Sequence, residues 1–330
     1  MKNKIGSISL IRTLAILGVV LIHSLPNQNQ IELDLFSARI VTFISSILRW
    51  TVPAFVMITG ALLLPRCENY KKCIKRAGRI FVALLVFGFV MAALQNVFES
   101  GFTRNTMLLS LKDVVSGNTW DVMWYLYMVI GLYLFMPIVS IFVKHADKRE
   151  IQYILVLLFV FTSVIEIVNK MVPHAVGFYL PVDSVYLFYL LAGYYIFTYR
   201  PLVDKRMLWS ILAVLAIVYF VLAYHFVRFN TIEYLVGYKS PITVMLSLCV
   251  FGMLIDLNID CKAVELISDN AFGIYLTHCF YIHILDKVFG VYTLPYSKVA
   301  LLIPVYVAVV FASLATSMVL RKIPLIKKLI

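Results

Sequence analysis

Two side chains in "RTLAILGVVLIH" raise a chemical question, because Arg12 and His23 lie eleven residues apart within an otherwise apolar run. Eleven helical residues at about 100° each come within about 20° of three full turns, so both side chains fall on one helix face. The rise between them is about 16 Å, roughly half the hydrocarbon thickness of a bilayer. Arginine is a permanent cation suited to an anionic ligand, and histidine is the side chain best suited to take up a proton near neutrality. One face of one helix then carries a cationic anchor and, farther along, a titratable base. The plain alternatives are an Arg12 that snorkels to one interface and a His23 that sits at the other.

Three other stretches carry polar groups that an apolar segment does not need. Arg49 stands deep in "SSILRWTVPAFVMITGALLL", followed by Pro53, which leaves backbone carbonyls of the preceding turn free. A structural ion pair, for instance with Glu166, is the competing explanation for Arg49. In "SDNAFGIYLTHCFYIHIL", His278 lies near mid-segment with Tyr275 one turn earlier, while His283 is rotated by about 140° and faces elsewhere. A packing histidine is the alternative there. Trp120, Trp124, Tyr125 and Tyr127 open the segment that begins "TWDVMWYLYMV", and they suit either an aromatic belt at the membrane surface or a stacking platform for a sugar. Of the carboxylates Glu166, Asp183 and Glu233, Glu166 is the candidate partner for a histidine or arginine.

These residues must be positioned by membrane helices. The chain has 330 residues, 62% of them apolar and only 14% charged, against roughly 45–50% apolar in a soluble domain. Mean hydropathy is +0.93. Apolar runs of about 20 residues, the length that crosses a bilayer, define ten candidate spans. They cover 5–25, 40–64, 77–98, 122–143, 151–171, 182–199, 207–228, 241–257, 270–289 and 299–320. The expected fold is therefore an all-α polytopic bundle of about ten transmembrane helices, forming one domain over 1–330 with no room for a soluble domain. The first run resembles a signal peptide, but Arg12 interrupts it and no cleavage site follows, so it reads as a retained span.

Most of the 29 Lys and Arg residues fall in alternate loops, which places both termini in the cytoplasm. The densest cluster is "PRCENYKKCIKRAGR", with Arg66, Lys71, Lys72, Lys75, Arg76 and Arg79. Anionic headgroups and positive-inside topology account for it, and attraction of a phosphate-rich donor is the alternative. The net charge of +12 thus belongs to topology rather than to nucleic-acid binding. The five cysteines, Cys67, Cys73, Cys249, Cys261 and Cys279, have no metal-ligand spacing, so no metal site is expected.

Taken in order, four segments resemble the membrane acyltransferase-3 family, integral-membrane O-acyltransferases of surface carbohydrates. Arg12 and His23 meet an R-x10-H pattern. Arg49, Val52, Pro53, Phe55, Thr59 and Gly60 meet R-x-x-V-P followed by an aromatic-rich stretch and S/T-G. Trp124, Tyr125, Leu126, Tyr133, Leu134 and a shifted Pro137 meet a W-[FY]-L start that ends in Y-L-x-x-P. Ala271, Gly273, Ile274, Tyr275 and His278 meet S-x-G-I-Y-x-x-H. The resemblance runs from residue 9 to about 283. Val122 stands where relatives often carry a histidine, and "GALLL" replaces a more usual G-Y.

The resemblance implies a donor acyl-CoA, usually acetyl-CoA, supplied from the cytoplasm, with no bound cofactor. It implies an acceptor hydroxyl on a glycan or lipid-linked sugar at the outer face of the inner (plasma) membrane, with lipids as the remaining partners. His23 and Arg12 are then the catalytic pair, His23 as general base or as an acylated residue. Arg49, His278, Tyr275 and Trp124 are the donor- or substrate-binding residues. An exporter or flippase of polysaccharide or lipid-linked sugar is the competing function, since intramembrane charges suit transport equally well.

Overall fold

The computed structural model of the chain describes residues 2–26, 33–66, 69–119, 122–173, 175–182, 184–200, 203–227, 231–293 and 298–330. Cys67, Trp120 and Asp183 lie outside the described residues, as do the side chains of Lys2, Lys4 and Glu233. Described residues form helices and no strand. In chain order the helices are α1 (Lys2–Ser24), α2 (Leu35–Ile47), α3 (Thr51–Leu63), α4 (Tyr70–Ala83), α5 (Phe89–Ser100) and α6 (Arg104–Ser116). They continue with α7 (Trp124–His145), α8 (Lys148–Phe159), α9 (Ile165–Met171), α10 (Val185–Tyr199) and α11 (Lys205–Phe226). The last are α12 (Thr231–Val236), α13 (Pro241–Leu254), α14 (Lys262–Lys287), α15 (Lys298–Leu320) and α16 (Pro324–Lys327). Single π-helical turns at Leu84–Gly88 and Val160–Val164 join α4 to α5 and α8 to α9.

Among the described residues, eight helical stretches are long and apolar enough to cross a membrane. Two of the ten expected spans fall short of that standard for different reasons. The 182–199 segment becomes the short α10 of 15 residues. The 270–289 segment becomes the C-terminal part of the 26-residue α14, which carries Lys262, Glu265, Asp269, Asp286 and Lys287 toward its ends. The expected interruption at 99–121 also contains a helix, α6, started by a reciprocal Thr103–Thr106 capping box and stopped by Gly117 at φ 80°.

The expected 40–64 span is a broken helix rather than one rod. Pro53 has no N–H to offer the Arg49 carbonyl four residues earlier, and the ladder is interrupted at Leu48–Trp50. There, three-residue bonds take over, with Arg49 N–H donating to Ser46 O (3.1 Å) and Thr51 N–H to Leu48 O (3.1 Å). The side chain of Arg49 therefore projects from a kink and not from a regular helical face.

Close helix crossings fix the elements around that kink. A Cβ on Gly193 of α10 would strike the Met57 backbone of α3, and one on Gly60 would strike the Leu190 carbonyl. Small residues let two backbones touch where lipid offers no hydrophobic force between helices. On α1, Thr13 Oγ1 donates to Val264 O of α14 at 2.8 Å, and Tyr292 Oη donates to Ser24 O at 2.8 Å. The helix that carries Arg12 and His23 is thus pinned at its middle and at its C-terminal end.

Candidate functional site

Two cavities lie along α1, and they share a wall. The smaller, about 140 Å³, is lined by Arg12, Val19, Val52, Phe55, Tyr125, Ala271, Phe272 and Tyr275. The larger, about 610 Å³, is lined by Val19, Ile22, His23, Arg49, Val52, Val122, Trp124, Tyr125, Gly237, Tyr238 and Tyr275. Val19, Val52, Tyr125 and Tyr275 belong to both. Arg12, Val19 and His23 are separated by seven and four residues, the spacing of one helical stripe. α1 is continuous across that stripe, and Arg12 lines the smaller cavity while His23 lines the larger one beside it.

The shared wall is aromatic. Tyr125 of α7 and Tyr275 of α14 meet edge to face, with ring centres 5.5 Å apart. The Tyr275 hydroxyl donates to the Val122 carbonyl, which holds that ring at the shared wall. On the Arg12 side, the guanidinium Nη1 donates to Ser268 Oγ at 3.3 Å, leaving most of its donors uncommitted to that contact.

On the His23 side, Arg49 and an aromatic cluster face one another. The guanidinium carbon of Arg49 lies 5.5 Å from the centre of the Tyr238 ring, a cation–π distance. Arg49 Nε is buried without a hydrogen-bond partner among the described residues. Trp124 packs at 5.6 Å from Tyr238 and 6.0 Å from Tyr186, and Tyr186 at 6.4 Å from Tyr238. Tyr238 sits in the turn between α12 and α13, where Tyr189 Oη donates to its carbonyl at 2.8 Å. Trp124 therefore has ring neighbours in a cavity as well as a partly exposed edge. Tyr127, grouped with it in the sequence, instead donates to Val114 O of α6 and does not line either cavity.

His278 stands behind this cavity. It is fully buried, lines neither chamber, and places its ring centre 5.4 Å from that of His23. Its Nδ1 lies 2.7 Å from Tyr275 O and 3.2 Å from Ile274 O.

Glu166 has different partners from those considered in the sequence. It pairs with Lys170 at 3.1 Å and Lys239 at 3.7 Å. Among the described residues no cluster of His, Cys, Asp and Glu has metal-site geometry, and the described cysteines form no disulfide. A groove of about 830 Å³ between α8, α10, α11 and α13 is larger than either chamber, but it contains none of the residues with spacing suited to chemistry.

Tyr186 and Tyr238 escaped the sequence reading. They belong to segments that meet Trp124 only through tertiary packing, and with 20 tyrosines in the chain no local pattern marks two of them. The fold alone reveals a cage.

Comparison with known proteins adds a family. A model of an acyltransferase domain matches residues 5–322 of the chain. No curated protein and no solved structure matches it significantly. The match covers nearly the whole helical bundle, including every residue of the two chambers, and the chain belongs to the acyltransferase-3 family, whose activity is transfer of acyl groups other than aminoacyl groups.

Proposed function

We propose that the protein moves an acyl group, acetyl in the first instance, from acyl-CoA on the Arg12 side to a hydroxyl on the His23 side. The acceptor is a glycan or lipid-linked sugar at the outer face of the plasma membrane, and both chain termini are cytoplasmic. The observation that carries this reading is the pair of chambers joined at one wall, with a cation in one and a histidine in the other. A transferase that keeps its donor and acceptor on opposite sides needs such a route.

In this scheme Arg12 holds a negatively charged part of the donor, and the basic N-terminal half of α4 attracts its phosphates from solution. The thioester reaches the His23 chamber past Tyr125 and Tyr275. The acceptor sugar lies against Trp124 and Tyr238, whose faces suit the apolar side of a pyranose ring. His23 removes the proton from the acceptor hydroxyl as its oxygen attacks the thioester carbonyl. Arg49 donates to the oxygen that gains charge, a role that its place in the lining of this chamber supports. The C–S bond then breaks, the CoA thiolate takes the proton from His23, and an ester remains on the acceptor.

The test is purified protein given labelled acetyl-CoA and a glycan extract. Labelled ester and free CoA are expected from the wild type, and neither from His23→Ala produced at normal levels. Full activity in His23→Ala removes the assignment of His23. Glycan movement without CoA release supports an exporter instead.

A further inference from the structure

We infer that His278 is a positioning residue for His23, acting as a hydrogen-bond acceptor behind it and never touching donor or acceptor. The inference rests on the acyl-transfer reading above and changes the part that His278 plays in it. Three observations lead there. First, the side chain is fully buried and lines neither chamber, so a substrate in either one meets His23 or Tyr275 instead.

Second, the hydrogen bonds of the ring define its tautomer. Nδ1 faces the carbonyl oxygens of Tyr275 at 2.7 Å and Ile274 at 3.2 Å. Carbonyl oxygens only accept, so Nδ1 carries the proton. A neutral imidazole has one N–H, and Nε2 is left with a lone pair. Such a nitrogen accepts and cannot donate to an oxyanion. Oxyanion stabilisation therefore falls to Arg49.

Third, Nε2 has a weak donor beside it, and the ring of His23 lies close to that of His278. Cys279 Sγ lies 3.4 Å away, and a thiol is a weak hydrogen-bond donor. The His23 ring centre is 5.4 Å from that of His278. A ring nitrogen lies about 1.1 Å from its centre, so the nearest nitrogens come to about 3 Å when the rings turn toward each other, within N–H···N range. Catalytic hydrogen bonds commonly tighten when substrate seats the base. An N–H of His23 given to Nε2 of His278 leaves the other nitrogen of His23 bare toward the cavity, ready for the hydroxyl proton. When that proton arrives, His278 accepts from the resulting imidazolium and steadies it, as the third member of a catalytic triad does.

The test compares His278→Gln, whose amide oxygen replaces the acceptor, with His278→Leu, which fills the volume without one. We expect kcat to fall at least about 100-fold in the leucine variant while the KM for acetyl-CoA changes less than about 3-fold, and glutamine to restore kcat to within about 10-fold of wild type. A mere packing role predicts leucine at least as active as glutamine, and direct substrate contact predicts a raised KM. Either result overturns the inference. Magnetic resonance of the wild-type protein with isotope-labelled histidine reads the tautomer without any variant: Nδ1 of His278 should be protonated and Nε2 bare, and the reverse assignment overturns it. Wild-type protein inert toward acetyl-CoA defeats the function proposed above, whereas wild-type activity equalled by His278→Leu defeats this inference alone.

Discussion

Replacing Arg49 with methionine should separate stability from catalysis. The side chain projects from the kink at Leu48–Trp50 with a buried Nε that has no partner among the described residues, while Tyr238 meets the guanidinium with both its ring and its hydroxyl. An unsatisfied buried donor costs about 1–3 kcal/mol, whereas a cation–π contact returns about 0.5–2 kcal/mol and the hydrogen bond to Tyr238 about 0.5–1.5 kcal/mol. Methionine fills much of the same volume without the charge. Arg49→Met should therefore stay within about 2 kcal/mol of wild-type stability, because the relieved and the lost contributions nearly offset. Catalysis should fall much further, because a donor aimed at developing charge contributes about 2.7–4 kcal/mol, or about 100- to 1,000-fold in kcat. The assays are thermal unfolding in detergent and CoA release at saturating acetyl-CoA. A variant that loses more than about 2 kcal/mol of stability would show Arg49 to be a structural cation and refute the reasoning.

Three further outcomes follow from the same geometry. Trp124→Ala and Tyr238→Ala should each raise the KM for acceptor between about 2-fold and 12-fold, the equivalent of about 0.5–1.5 kcal/mol per aromatic contact. Because the two rings touch, the double variant should cost less than the product of the singles, as steady-state kinetics over a range of acceptor concentrations will show. Tyr125→Ala should open the wall between the chambers and raise the rate with butyryl-CoA relative to acetyl-CoA, and an unchanged ratio in competition assays would locate chain selection elsewhere. Gly193→Val should force α10 off the Met57 backbone and destabilise the protein by about 1–3 kcal/mol or more, read as a lowered unfolding temperature.

What the sequence made legible was periodic or covalent. Arg12 and His23 share a face because helical geometry is regular over the continuous α1, and eleven residues suffice to compute it. Pro53 signals a defect near Arg49 because a missing N–H acts on a known carbonyl, although the sequence suggests freed carbonyls in one span and the structure has two helices. Hydropathy finds the long spans but serves short α10 and charge-tipped α14 poorly, since their lodging in the bundle depends on neighbours such as Gly60 and Ser317. The rest was not legible because it is tertiary. The Glu166 partners are lysines, one of them 73 positions away by the numbering. Tyr238 enters the chamber on a turn held by Tyr189, and the burial of His278 behind His23 requires α1 and α14 to be seen together.

The central claim is that one route carries an acyl group from the Arg12 chamber to the His23 chamber. Sealed vesicles with the protein in one orientation test it most directly, with labelled acetyl-CoA confined to the side of Arg12 and the glycan acceptor confined to the side of His23. The account predicts labelled ester only on the acceptor side and free CoA only on the donor side, both abolished by His23→Ala. Ester that forms only when donor and acceptor share the same side would contradict it.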